Sequence, residues 1–203
     1  MIVIGVTGIS GSGKTVVTRM LAEMGGYAIE TDPMAHGLMR KGCQAFYEIV
    51  DAFGVDILDA NGRIHRPALG AMVFRDKTKL ALLESIIHPK VAFETTTLLR
   101  QAEFAGTYNF AIIDAPLLIE AGMHKMCDSC WLITANHETR LSRIIARDEI
   151  PTEAAEKRLS SRPGDEALKP YAHIVIENNT DNLVELKAKV TKALQSVGLK
   201  PQI

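Results

Sequence analysis

Eight residues near the N-terminus, Gly8-Ile9-Ser10-Gly11-Ser12-Gly13-Lys14-Thr15, fit the spacing G-x-x-x-x-G-K-[ST]. A loop of this kind needs a strand before it and a helix after it. Both are written into the flanks. The β-branched run Ile2-Val3-Ile4-Gly5-Val6-Thr7 reads as a buried strand, and residues 16–24 follow with helical spacing. Strand, glycine-rich loop and helix together aim several backbone N–H groups and a helix N-terminus at one anion. Lys14 is long enough to reach β- and γ-phosphates, and the Thr15 hydroxyl is placed to ligate Mg²⁺.

With 203 residues and a hydrophobic fraction of 47%, the chain is expected to form one compact α/β domain with a sub-domain. A net charge of −1 gives no general attraction to nucleic acid. The apolar N-terminus has no basic leader and meets Gly5, Gly8 and Lys14 early, so it reads as a core strand rather than a signal peptide. No apolar run approaches the length of a membrane span, and a soluble, cytoplasmic protein is expected. Of the three cysteines, Cys127 and Cys130 form a C-x-x-C. No second Cys or His pair stands at zinc-ribbon or finger spacing, so these cysteines read as reduced and structural.

Five apolar segments read as strands, at residues 2–7, 27–30, 110–114, 130–135 and 173–177. Helical patterns lie between them, which implies a parallel sheet covered on both faces. Ligands in such sheets bind beyond the C-terminal strand ends, where Thr7, Glu30, Asp114, Ala135 and Glu177 fall. Residues 33–105 hold no buried strand. They show helical patterns at 45–53, 67–74, 79–87 and 91–105, with a turn signal at Asp59-Ala60-Asn61-Gly62-Arg63. This stretch is extra covering for the sheet or, as the phosphate loop next to it favours, a helical substrate-binding insertion, and His88-Pro89 is expected to end one of its helices. After the fourth strand, Arg140, Arg143 and Arg147 repeat at three- and four-residue spacing on one helical face. Arg158 and Arg162 do so on the next helix, between Pro151 and Pro163. A solvated face is one reading of this stretch; an arginine-bearing lid over a triphosphate is the other, favoured by its place after a strand end. Residues 182–197 close the chain as an amphipathic helix carrying Leu183, Leu186, Val190 and Leu194.

Two carboxylates stand out. Asp32 lies just past the second strand and suits either a base for an attacking hydroxyl or the N-cap of a helix that begins near Pro33. Asp114 ends the third strand, where a Walker B carboxylate would sit, although a turn role before Pro116 stays open.

Along nearly its whole length the chain resembles the bacterial dephospho-coenzyme A kinase family. The resemblance rests on the phosphate loop, Asp32, Phe53-Gly54, the Asn61-Gly62 turn followed by Arg66, Leu69 with Phe74, and Ile86-Ile87-His88-Pro89. It continues through Pro116-Leu117-Leu118-Ile119-Glu120, Arg143 with Arg147-Asp148, and Val175-Ile176-Glu177-Asn178-Asn179. It implies a P-loop NTPase-type kinase of a single domain: a core at 1–32 and 106–203, an insertion at about 33–105 and a lid at about 138–165. It implies transfer of the ATP γ-phosphoryl group to the ribose 3′-hydroxyl of dephospho-coenzyme A, the last step of coenzyme A synthesis. Nucleotide contacts would come from Gly8, Ser10, Gly11, Ser12, Gly13, Lys14, Thr15, Val16, Arg147 and Asn178. Asp32, Lys14 and Arg143 would serve catalysis; Thr15 and Asp32 would serve Mg²⁺. Asp32, His36, His88, Pro116 and Leu117 would meet the acceptor. ATP, Mg²⁺ and dephospho-coenzyme A are the expected partners, with no nucleic acid, membrane or obligate protein partner. The chain departs from the family pattern at Glu30, where Asp is usual, at His36, where Arg is common, and at Arg162, where Gln is usual.

Two competing functions make different demands. Another small-molecule kinase would share every feature except the acceptor site. A guanine-nucleotide switch would carry N-K-x-D after a late strand, but the corresponding stretch is Asn136-His137-Glu138-Thr139.

Overall fold

The computed structural model describes residues 1–160 and 164–201; Arg162 and Pro163 lie outside the described residues. The strands are β1 (Ile2–Thr7), β2 (Gly26–Glu30), β3 (Phe110–Asp114), β4 (Ser129–Thr134) and β5 (Ile174–Glu177). They form one sheet in the order β2-β3-β1-β4-β5. β1 pairs in parallel with β3 and β4, and β4 with β5. β3 and β4 are buried at every position, which explains why both read as unbroken apolar runs.

The chain divides into two compact units, Met1–Ile29 with Leu99–Ile203, and Glu30–Leu98. In the first, α1 (Lys14–Glu23), α6 (His137–Asp148), α7 (Thr152–Ser160), α8 (Asp165–Leu168) and α9 (Leu183–Ser196) accompany the sheet. Ile4, Val6, Ile112, Trp131 and Ile133 point to one sheet face. There they pack with Val17 and Leu21 of α1 and with Leu186, Val190 and Leu194 of α9. The period of two along each strand and the helical spacing of α1 and α9 thus converge on a single core.

The second unit contains α2 (Thr31–Leu38), α3 (Gln44–Phe53) and α4 (Arg66–Val73). The helix α5 (Lys77–Ala105) begins in it. Between α3 and α4, Asp59 builds the turn read from the sequence. Its Oδ1 accepts from the backbone N–H of Asn61 at 2.8 Å and of Arg63 at 3.0 Å, and Leu58 bridges to Ile64.

Two expectations need correction. Pro89 does not end a helix; it lies inside the 29-residue α5. Its missing N–H deprives the Ser85 carbonyl of a helical partner, at a cost of about 3 kcal/mol. Ile87 and Val91, four residues apart on either side, are both buried, so packing of one face keeps the helix in register across the proline. The second correction concerns α2. It begins at Thr31 rather than near Pro33, and it shows as a pattern only through that proline because its eight residues, TDPMAHGL, bury only Thr31 and leave no apolar stripe to read.

On the opposite sheet face, Gly5 has no room for a side chain. A Cβ there would stand 2.7 Å from Cys127 Sγ and 2.7 Å from Leu118 Cδ2. Replacing Gly5 with Ala therefore overpacks the site and should lower stability by about 1–3 kcal/mol, measured by denaturant unfolding. An unchanged unfolding midpoint would contradict this packing.

Candidate active site

The loop after β1 depends on two glycines. Gly11 and Gly13 have φ of 81° and 91°, a region that side-chain-bearing residues rarely enter. Close neighbours add a second reason. A Cβ on Gly11 would lie 2.7 Å from the Arg140 carbonyl oxygen, and one on Gly13 would collide with the Asn178 amide. Gly13 is the N-cap of α1, and its carbonyl accepts from Val16 at 3.0 Å and Val17 at 3.2 Å. The N-terminus of α1, with its backbone N–H groups and dipole, thus opens directly from the glycine-rich loop, the arrangement that suits an anion. Ser12 is buried, and its Oγ has no hydrogen-bond partner among the described residues.

Lys14 opens α1 and pairs with Asp114, the last residue of β3. The Asp114 side chain is 6% exposed, so the pair stands largely out of water. Thr18, one helical turn beyond Lys14, donates from Oγ1 to Asp114 Oδ2 at 2.7 Å. The carboxylate is thus oriented at both oxygens by residues of one helix. Asp114 is thus tied to the helix that follows the phosphate loop, as the Walker B reading of it expects. Thr18 was not legible as a site residue: a threonine inside a helix carries no signal until its partner across the sheet is known.

Helix α6 sets three arginines against the phosphate loop. Asn136 caps this helix, accepting from Thr139 N–H at 2.8 Å. Arg140 lies with its backbone against Gly11, as noted above. Its guanidinium faces Asp165, with Nη1 3.6 Å from Oδ2. Both side chains are mostly buried, and Arg140 Nε and Nη1 and Asp165 Oδ1 lack hydrogen-bond partners among the described residues. Burial raises the Asp165 carboxyl above its ordinary value, with Arg140 opposing.

Arg143 donates to the Gly11 carbonyl at 3.3 Å, the Asn178 carbonyl at 3.0 Å and the Thr180 carbonyl at 3.0 Å, and pairs with Asp181 at 2.9 Å. It ties the phosphate loop to the loop after β5. Arg147 Nη2 reaches Ser10 Oγ at 3.5 Å, while its Nε binds Asp148 at 2.8 Å. Asp148 also pairs with Arg158 of α7, and hydrogen bonding to Arg147 foremost holds its carboxyl below the ordinary value.

Asn178 completes the enclosure. It is 3% exposed; its Nδ2 donates to the Ser12 carbonyl at 2.8 Å and its backbone N–H to the Thr134 carbonyl at 2.8 Å. Its Oδ1 is buried without a partner among the described residues. Asn179 accepts from the Asn136 N–H at 2.7 Å. The end of β5, the start of α6 and the phosphate loop are therefore one hydrogen-bonded assembly. Its unpaired buried atoms, Ser12 Oγ and Asn178 Oδ1, suit an incoming polar ligand. Pro116 and Leu117 lie in the turn after β3, and the Pro116 carbonyl accepts from Thr7 Oγ1 at 3.4 Å.

The Glu30–Leu98 unit carries the other expected residues. Asp32 is the second residue of α2 and is exposed; the N-cap is Glu30. The capping role weighed for Asp32 does not hold, because the helix already begins at Thr31. His36, one turn further, contacts Arg66 at 2.6 Å between Nε2 and Nη2. Burial first, then Arg66, lowers the His36 pKa, and Asp32 opposes them. A neutral His36 accepting from Arg66 satisfies that geometry. His88 lies half-buried on α5, next to Pro89.

The model of the dephospho-CoA kinase family matches residues 2–183. A dephospho-CoA kinase from Fusobacterium nucleatum is 38% identical over 197 residues, covering 97% of this chain and 99% of the relative. One from Moorella thermoacetica is 37% identical over 197 residues, covering 97% and 92%. Among solved structures, a Thermus thermophilus protein superposes with a TM-score of 0.83 at 27% identity, covering 97% of each chain. A shikimate kinase from Acinetobacter baumannii, at 18% identity and a TM-score of 0.54, shares the fold. The match over residues 2–183 and relatives at 37–38% identity across nearly the whole chain show that the chain belongs to the dephospho-CoA kinase family.

Proposed function

We propose that the phosphate-loop assembly and the Glu30–Leu98 unit divide the labour of the dephospho-CoA kinase reaction. ATP gives up its γ-phosphoryl group, and the ribose 3′-hydroxyl of dephospho-coenzyme A receives it. The observation that carries this assignment is the cradle formed by Gly13 and Lys14 with the buried Ser12 and Asn178, closed by Arg143. Its backbone N–H groups suit the phosphates, and its unpaired Ser12 Oγ and Asn178 Oδ1 suit further polar contacts to the nucleotide.

Phosphoryl transfer through a loose transition state asks for positioning and charge neutralisation more than for strong bases. Lys14 supplies a positive charge at the β- and γ-phosphates. To do so it exchanges its bond to Asp114 for phosphate oxygens. Mg²⁺, if bound here, would be held by the Thr15 hydroxyl and by the Asp114 carboxylate that Thr18 orients, with Asp32 as a further candidate carboxylate. Mg²⁺, when bound, neutralises charge on the triphosphate. Asp32 accepts the 3′-hydroxyl proton as the oxygen attacks, and its exposure leaves it open to an acceptor. His36 and Arg66 offer donors to the acceptor's anionic groups, and His88, Pro116 and Leu117 contribute further contacts. Arg143 contributes charge if nucleotide oxygens replace the carbonyl oxygens it now serves; Arg147 approaches the same loop through Ser10.

The roles separate by measurement. Lys14→Ala should lower kcat by at least about 100-fold and weaken ATP binding; near-normal turnover would remove Lys14 from the mechanism. Asp32→Asn should lower kcat by about 100-fold or more with ATP affinity retained, and a wild-type rate would leave Asp32 without a chemical role. Thr18→Val keeps the side-chain shape and deletes the bond to Asp114. It should raise the Mg²⁺ concentration needed for half-maximal rate, whereas a loss of thermal stability alone would make Thr18 purely structural.

A further inference from the structure

The C-x-x-C motif takes no part in the chemistry above, yet the fold brings its two thiols together. Gly5 of β1 lies opposite Cys130 of β4 in the ladder, so their side-chain positions share one sheet face. The space a Gly5 side chain would need is filled by the Cys127 sulfur, 2.7 Å from the position of a Cβ. Cys127 thus reaches over Gly5 toward Cys130; its thiol donates to the Met123 carbonyl at 3.5 Å, and the Cys130 thiol to the His124 carbonyl at 3.8 Å. On the other side, the Cys130 N–H donates to His173 Nδ1 at 2.9 Å.

The two sulfurs differ in access and in acidity. Cys127 is half-buried and Cys130 is buried. The Cys127 S–H and the His173 ring stabilise a Cys130 thiolate and lower its pKa, against its burial. The same S–H bond, with burial, raises Cys127. The thiolate is therefore favoured at Cys130 and disfavoured at Cys127. Among the described residues no group of three or more His, Cys, Asp or Glu side chains is placed to hold a metal ion. Thiol chemistry remains.

We propose that Cys127 and Cys130 are a dithiol modification site that takes low-molecular-weight disulfides and closes reversibly into an intramolecular disulfide. As Cys127 attacks a disulfide RSSR, its proton passes to the Cys130 thiolate. A bond forms between Cys127 Sγ and one RS group, the RS–SR bond breaks, and RS⁻ leaves. That RS⁻ takes the proton from Cys130. The renewed Cys130 thiolate then attacks Cys127 Sγ, the mixed disulfide breaks, and the second RS⁻ leaves to be protonated by solvent. The thiol–thiolate pair gives up one proton and two electrons, solvent supplies the second proton, and RSSR becomes two RSH.

The third cysteine provides an internal comparison. Cys43 is half-buried in the Glu30–Leu98 unit, where its thiol donates to the Gly37 carbonyl at 3.6 Å. Reduced protein should be incubated with oxidised and reduced glutathione at graded ratios, denatured in excess N-ethylmaleimide, and mapped by peptide mass. The expected product carries Cys127 and Cys130 joined, two hydrogens lighter and unalkylated, with Cys43 alkylated or bearing one glutathione. Added dithiothreitol should return all three to the alkylated form. In Cys127→Ser, Cys130 should stay alkylated and free of glutathione, because the outer thiol that receives the reagent is gone. Alkylation of both Cys127 and Cys130 at ratios that glutathionylate Cys43 would overturn the proposal. So would a lasting glutathione adduct on either. The readout uses no kinase assay, so this site and the kinase roles fail or stand separately.

Discussion

Everything in the nucleotide half of the molecule depends on how the loop after β1 is kept open. A run of backbone N–H groups can receive a phosphate only if no side chain fills the hollow and no carbonyl turns into it. Gly11 and Gly13 meet the first condition through their left-handed φ and their close neighbours. The second is met from outside the loop. Asn178 holds the Ser12 carbonyl and Arg143 the Gly11 carbonyl, so both oxygens are pulled outward. The motif supplies the shape, and residues 130–170 positions away in the chain fix it.

The sheet order makes that long-range bracing possible. β1 is central, with β3 on one side and β4 on the other. The strand ends on both sides are thereby brought to the loop: Asp114 from β3, and the α6 N-terminus from β4. β5 adds Asn178 through its neighbour β4, where the Asn178 N–H continues the ladder to Thr134. Lys14, Thr18 and Asp114 then form a compact unit of charge and orientation between α1 and β3. A threonine at position 18 takes up one carboxylate oxygen at little conformational cost, because β-branching already restricts its rotamers in a helix.

The parts legible in the sequence were those written in a local code. β1 and β3 match their apolar runs residue for residue, and the spacing of α9 marks its buried face. The phosphate loop is legible because its function rests on backbone geometry that few sequences allow. Asp32 was visible only as a polar residue at a strand end, and its capping alternative fell to a backbone fact, the helical conformation that starts at Thr31. Pro89 misled because its local preference is strong, while the packing of Ile87 and Val91 that outweighs it is tertiary. Thr18, Asp165, Asp181 and the orientation of Arg143 gain meaning only from partners distant in sequence, and no periodicity announces them.

The account is tested most directly by the identity of the phosphorylated product. The protein, incubated with Mg²⁺, ATP and dephospho-coenzyme A, should convert the acceptor into a species heavier by one phosphoryl group. Phosphorus–proton coupling should place that group on the ribose 3′-oxygen, with ADP formed in equal amount. ATP hydrolysis without a heavier acceptor, or a phosphoryl group found at another oxygen, would contradict it.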